Sequence, residues 1–128
     1  MAVSVSVGSI EDVFRNLVSV NNTIGAMAVL DNAGNVVYAT QNWKVNGTEL
    51  MNSWRNKDSS VSIQSVRYST LSVTEERLIA TNVGGKGHIV MSTVGDKGIV
   101  IAYVTPQGDP GGSYADICRA ADMIGRTM

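Results

Sequence analysis

Residues 60–104 read SVSIQSVRYSTLSVTEERLIATNVGGKGHIVMSTVGDKGIVIAYV. Polar and apolar residues alternate over 60–73, and ERLIATN, HIVMST and IVIAYVT follow as further strand-like runs. The connections TEE, GGKG and VGDKG each carry glycine or charge, as tight hairpins require. The stretch therefore predicts an antiparallel meander, strand after strand.

Upstream, TELMNSW predicts a short helix near 48–55, with Thr48 as N-cap and Leu50, Met51 and Trp54 as its apolar face. Before it, IGAMAVLDNAGNVVYATQ (24–41) reads as a β-hairpin, because two apolar runs flank the turn-forming set DNAG. From Ser9 the period changes. Ile10, Val13, Phe14, Leu17 and Val18 recur at helical spacing, and Ser9 with Asp12 resembles a capping box. Residues 1–8, MAVSVSVG, alternate but are short and terminal, and are expected to form a flexible arm. Downstream, GDPGGSYADICRAADMIGRTM predicts a Gly-rich loop and then a helix near 112–126. Tyr114, Ile117, Cys118, Ala121 and Ile124 share one of its faces. The order α–β–β–α–β(β)–β–β–β–α is α+β. It implies a central antiparallel sheet of about six or seven strands, flanked by N- and C-terminal helices plus a short helix.

A length of 128 residues fits one domain, and 44% hydrophobic content suits a packed core. The net charge of −1, with no block of like charge, offers nothing to nucleic acid or an anionic membrane. With Cys118 as the one cysteine, no intrachain disulfide forms, which fits a reducing compartment. The first residues lack the charged and apolar regions of a signal peptide, and no run of eighteen apolar residues exists. The expectation is a cytoplasmic protein.

The inventory for catalysis is thin. His88 falls in a strand and Cys118 on an apolar helix face, so neither suggests a nucleophile held by a base. GGKGH (84–88) lacks the spacing of a phosphate-binding loop and is followed by a strand, which makes it a hairpin turn. Glu75 and Glu76 sit side by side on a turn, with no His or Cys at metal-ligand spacing. No enzyme, cofactor or metal site is expected. Trp54 is assigned to the core under the short helix. Trp43, in QNWKVNG, either covers a sheet edge or meets a partner.

In order, these segments resemble the profilin family across about residues 10–126. IGAMAVLDNAGNVVYAT is similar to the first hairpin, and TELMNSW to the short helix. VRYSTLSV through IVIAYV is similar to the meander, and DPGGSYADICRAADMI to the loop that opens the C-terminal helix. The polar, valine-rich character suits an archaeal, Asgard-type member. Profilins bind actin monomers, so the resemblance implies a non-catalytic, monomeric regulator of actin assembly that meets the barbed-end face. By position it implies contacts from Arg67, Ser72, Thr81, Lys86, His88, Gly111, Gly112, Tyr114, Ala115 and Arg119. Ser72 and Thr81 replace basic residues found in some profilins. Family members also grip polyproline between aromatic rings. Here the matching positions hold Phe14, Val37, Tyr38 and Met128, a weakened set. Phosphoinositide binding would draw on Arg67, Lys86, Arg119 and Arg126, and the case for it is weak. The rival family is the roadblock or longin-like module, a dimer that regulates small GTPases. It has three strands after its middle helix, whereas at least four are read here.

Overall fold

The computed structural model describes residues 9–40 and 43–128. The expected arm, residues 1–8, lies outside the described residues. The elements are α1 (Ile10–Val20), β1 (Ile24–Asp31), β2 (Val36–Ala39), α2 (Gly47–Arg55), β3 (Ser60–Ile63), β4 (Val66–Val73), β5 (Arg77–Thr81), β6 (His88–Val94), β7 (Gly98–Val104) and α3 (Pro110–Gly125). All seven strands form one antiparallel sheet, in the order β2-β1-β7-β6-β5-β4-β3. Five of them follow α2, as the meander reading requires.

Local chemistry explains the boundaries. Ser9 caps α1, its hydroxyl accepting from the Asp12 N–H at 3.1 Å. In the first hairpin the Asp31 carboxylate accepts from the N–H groups of Ala33 and Asn35, both at 2.9 Å, and Gly34 takes φ 88°. The Asn35 side-chain amide, donating to the same carboxylate at 3.1 Å, lowers the Asp31 pKa most, and these backbone bonds add to it. The alternating run 60–73 breaks into two strands at Gln64 and Ser65, which turn with φ 50° and 69°.

Two helix starts differ from expectation. Asn46, not Thr48, caps α2, its side chain accepting from Glu49 N–H at 3.0 Å. Asx side chains reach the third N–H as readily as Thr, and the helix gains a turn's start at Gly47. The last helix begins at Pro110 rather than 112. Asp109 is its N-cap, and proline's fixed φ suits the first helical position. Gly111 and Gly112 thus belong to the first turn of α3, not to a loop.

The two sheet faces bury separate cores. On one face α1 and α3 cover Met27, Val29, Val90, Val100 and Ala102, using Val13, Leu17, Ile117, Ala121 and Ile124. On the other, Leu50, Met51 and Trp54 of α2 pack with Val61, Tyr68, Leu78, Ile89 and Ile101. Each fully buried aliphatic side chain contributes roughly 1.5–3 kcal/mol. Trp54 is core as expected, and its indole N–H donates to the Thr74 carbonyl at 2.7 Å. Trp43 is half-buried against this second core. Among the described residues, no helix is long and apolar enough to cross a membrane.

Candidate functional site

The helix-covered face runs out of helix toward β3. Following the register shows what replaces it. One row crosses the sheet as Ile24, Val104, His88, Thr81 and Ser69; the next as Met27, Ala102, Val90, Ile79 and Ser72. Both rows are apolar under α1 and α3; the first turns polar from His88 on β6, the second only at Ser72 on β4. Arg77, paired with Ser92, and Arg67, paired with Ser62, lie on the same face. A polar strip on β4, β5 and the His88 end of β6 therefore stands beside α3, which covers the rest of β6.

Side chains organise this strip. Thr81 Oγ1 and His88 Nδ1 lie 2.7 Å apart, which fixes the imidazole. His88 Nε2 is shielded from solvent and has no hydrogen-bond partner among the described residues, and the same holds for Arg77 Nε. A buried polar atom without a partner is costly, about 1–3 kcal/mol. The Arg77 guanidinium stacks over the Tyr114 ring at 5.3 Å, joining β5 to α3. The Tyr114 phenol pKa is raised, first by hydrogen bonding with the Cys118 thiol and then by burial. Cys118 itself is half-buried, its sulfur 3.9 Å from the Ser92 hydroxyl.

The turn between β5 and β6 closes one end. Asn82 Oδ1 accepts from Gly84 N–H at 2.8 Å and Lys86 N–H at 3.1 Å, while its Nδ2 donates to the Arg67 carbonyl at 2.8 Å. Gly85 and Gly87 adopt φ 84° and 110°. Lys86 points into solvent from this turn, and its carbonyl accepts the Tyr103 hydroxyl at 2.8 Å. At the other border, Asn21 of the α1 C-cap donates to Ser113 Oγ at 3.0 Å and Asp116 Oδ2 at 3.1 Å, which pins the start of α3.

Of the candidate contact residues, Arg67, Ser72, Thr81, His88 and Tyr114 fall on one continuous face, and Lys86 on the adjoining turn. Gly111, Gly112 and Ala115 are exposed on the first turns of α3. Arg119 is drawn away from the strip, because it ion-pairs with Asp116, which Asn21 holds from the α1 side. Of the polyproline candidates, Phe14 and Tyr38 pack together against the α1–α3 core. The Tyr38 phenol is pushed up by burial and by the Glu11 charge. Val37, the unpaired residue at the irregularity between Val36 and Tyr38, is 48% exposed; Met128 is 39% exposed at the chain end.

Three functional candidates escaped the sequence reading. Arg77 and Asn82 carried no visible signal, since an arginine after a turn and an asparagine before one are common. Leu71, 62% exposed, did carry one. Apolar residues occupy 66 and 68 but then 71 and 73, a slip in the two-residue period. The register shift between Thr70 and Ser72 is the bulge that slip announces.

No protein-family model matches the chain. Individual relatives do. It is 41% identical over 120 residues to Odin profilin of Odinarchaeota yellowstonii, covering 94% of this chain and 99% of that one. It is 36% identical over 112 residues to Loki profilin-2 of a Lokiarchaeum, covering 79% and 84%. Among solved structures it is similar to Loki profilin 2 in its complex with rabbit actin, at TM-score 0.83 and 32% identity, covering 93% and 97%. A roadblock domain from Streptomyces avermitilis shares the fold more distantly, at TM-score 0.54 and 14% identity. With relatives this similar along nearly its whole length, the chain belongs to the profilin family.

Proposed function

We propose that this protein binds an actin monomer through the polar strip of β4–β6 and the first turns of α3, and so regulates filament assembly. The observation that carries the reading is the uncovered strip itself, in a chain similar to a profilin solved with rabbit actin. Its borders are built as a contact surface would be. Arg67 and Lys86 supply charge at the rim, and Tyr114 with Arg77 supplies a ring-and-guanidinium centre. Gly111 and Gly112 let a partner's backbone come close to the start of α3.

The action is stoichiometric and non-catalytic, in the cytoplasm, by a monomer. An actin subunit capped at this face cannot nucleate or add to a pointed end, but still delivers its free end to a growing barbed end. The roadblock reading is the weaker one, since its dimeric module has fewer strands after the middle helix. Proline-rich ligands are outside the proposal. The face that would hold them offers the rings of Phe14 and Tyr38, with aliphatic Val37 and Met128 at the other matching positions. Phosphoinositides are outside it too, because Arg119 and Arg126 are engaged by Asp116 and Asp122.

The test is titration of monomeric rabbit actin with the wild type and with Arg67→Glu and Tyr114→Ala. Each variant should weaken binding at least about tenfold, as loss of a central or charged contact does. Wild-type affinity in both would refute the proposed face.

A further inference from the structure

The opposite side of the sheet holds a cavity of about 370 Å³ at the C-terminal end of α2. That volume lies in the range of small-molecule sites. Met51, Trp54 and Ile99 form its apolar wall, and Arg55, Lys57 and Glu75 stand at its mouth. All three charged residues are exposed, and none is in an ion pair among the described residues. Two cationic side chains and one carboxylate thus share the lining of an apolar hollow.

The backbone at Lys57 supplies an independent observation. The helix ends in a Schellman motif, with Lys57 N–H donating to the Trp54 carbonyl at 3.0 Å and Asp58 N–H to the Ser53 carbonyl at 2.9 Å. The motif puts its left-handed residue at Lys57, φ 53°. Glycine is the residue that adopts this conformation without cost, and a lysine there is strained. The left-handed backbone fixes the point from which the Lys57 side chain leaves the helix end, on the cavity lining with Arg55.

We infer that this cavity binds a small organic anion with a flat apolar body, seated against Met51, Trp54 and Ile99, its acidic head between Arg55 and Lys57. Carboxylate, sulfonate and phosphate heads share the required chemistry. Glu75 opposes a second negative charge, which favours monoanions. The site stands on the α2 side of the sheet, away from the proposed actin face, and does not depend on that reading.

Naphthalene-1-sulfonate is a suitable probe, followed by amide and indole N–H shifts of the labelled protein. The expected result is saturable shifts of the Trp54 indole N–H and the Lys57 amide, with a Kd of about 0.1–1 mM, as a ligand of this size allows. Arg55→Glu with Lys57→Glu should weaken binding at least about tenfold, and Glu75→Gln should strengthen it about two- to threefold. Lys57→Gly keeps the fold secure, because it relieves the left-handed strain. It should raise the melting temperature while lowering affinity. Absence of saturable shifts, shifts centred elsewhere, or equal affinity in the wild type and Lys57→Gly would overturn the assignment.

Discussion

The Asn82 carboxamide bonds three backbone groups at once, the N–H of Gly84, the N–H of Lys86 and the carbonyl of Arg67. It therefore sets where two of the proposed contact residues leave the sheet. Asn82→Ala should cost about 1–3 kcal/mol, since it orphans groups that only partly regain water. Urea denaturation measures that loss, and actin affinity should fall with it. Tyr114→Ala acts through packing. It removes a half-buried ring that stacks on Arg77 and packs against the α1–α3 core, so it should lower the urea midpoint as well as weaken binding. At the residue level, Arg67, Lys86, His88 and Tyr114 were named as contacts only through the family resemblance, and the fold brings them onto or beside the strip. Arg119 was named the same way, but its ion pair with Asp116 depends on a contact from Asn21, far away in sequence. Asn82 and Arg77 act through backbone and ring contacts that no spacing rule records.

Turns and caps decide the elements. Gly87 sits where an added Cβ would lie 2.6 Å from the Tyr103 ring, and its φ is 110°. Gly87→Ala should destabilise by at least about 1–3 kcal/mol through strain alone, seen as a lower urea midpoint. Lys57→Gly should stabilise by about 1 kcal/mol for the opposite reason. The strands of the meander were legible because each has a two-residue period and a glycine or charged turn. The helix α1 was legible from its stripe and from Ser9. The start of α3 was not, because GDPGG reads as loop by composition. One proline at the first helical position, behind an Asp cap, outweighs two glycines. The start of α2 shifted for a similar reason, since two capping-type residues, Asn46 and Thr48, stand two positions apart and composition does not rank them. The bulge at Leu71 was written in the slipped period and shows how an exposed leucine comes to stand beside the contact strip.

At the scale of the molecule, one sheet separates two cores and two surfaces. The α1–α3 side carries the proposed actin strip, and the α2 side the proposed anion cavity. Three tyrosines tie the fold to alkaline pH. The phenol pKa values of Tyr38 and Tyr68 are raised chiefly by burial, and that of Tyr114 by the Cys118 thiol and then burial. All three are protonated in both states below about pH 10 and contribute no pH dependence there. As pH climbs past that point the unfolded chain releases these protons first, so stability falls. Urea midpoints should hold level to about pH 9 and drop above pH 10, and Tyr68→Phe should reduce the drop. The general layout was legible from the order of elements. The polar strip was not, because it exists only where α3 fails to cover β4 and β5. The central claim is that this strip binds actin. Its most direct test is assembly of pyrene-labelled rabbit actin with rising amounts of the protein, alongside the protein's mass in solution. The account predicts a monomer that slows nucleation in proportion to its concentration, with Arg67→Glu and Tyr114→Ala each losing most of the effect. Unaltered assembly by a stable dimer, or full activity in both variants, would contradict it.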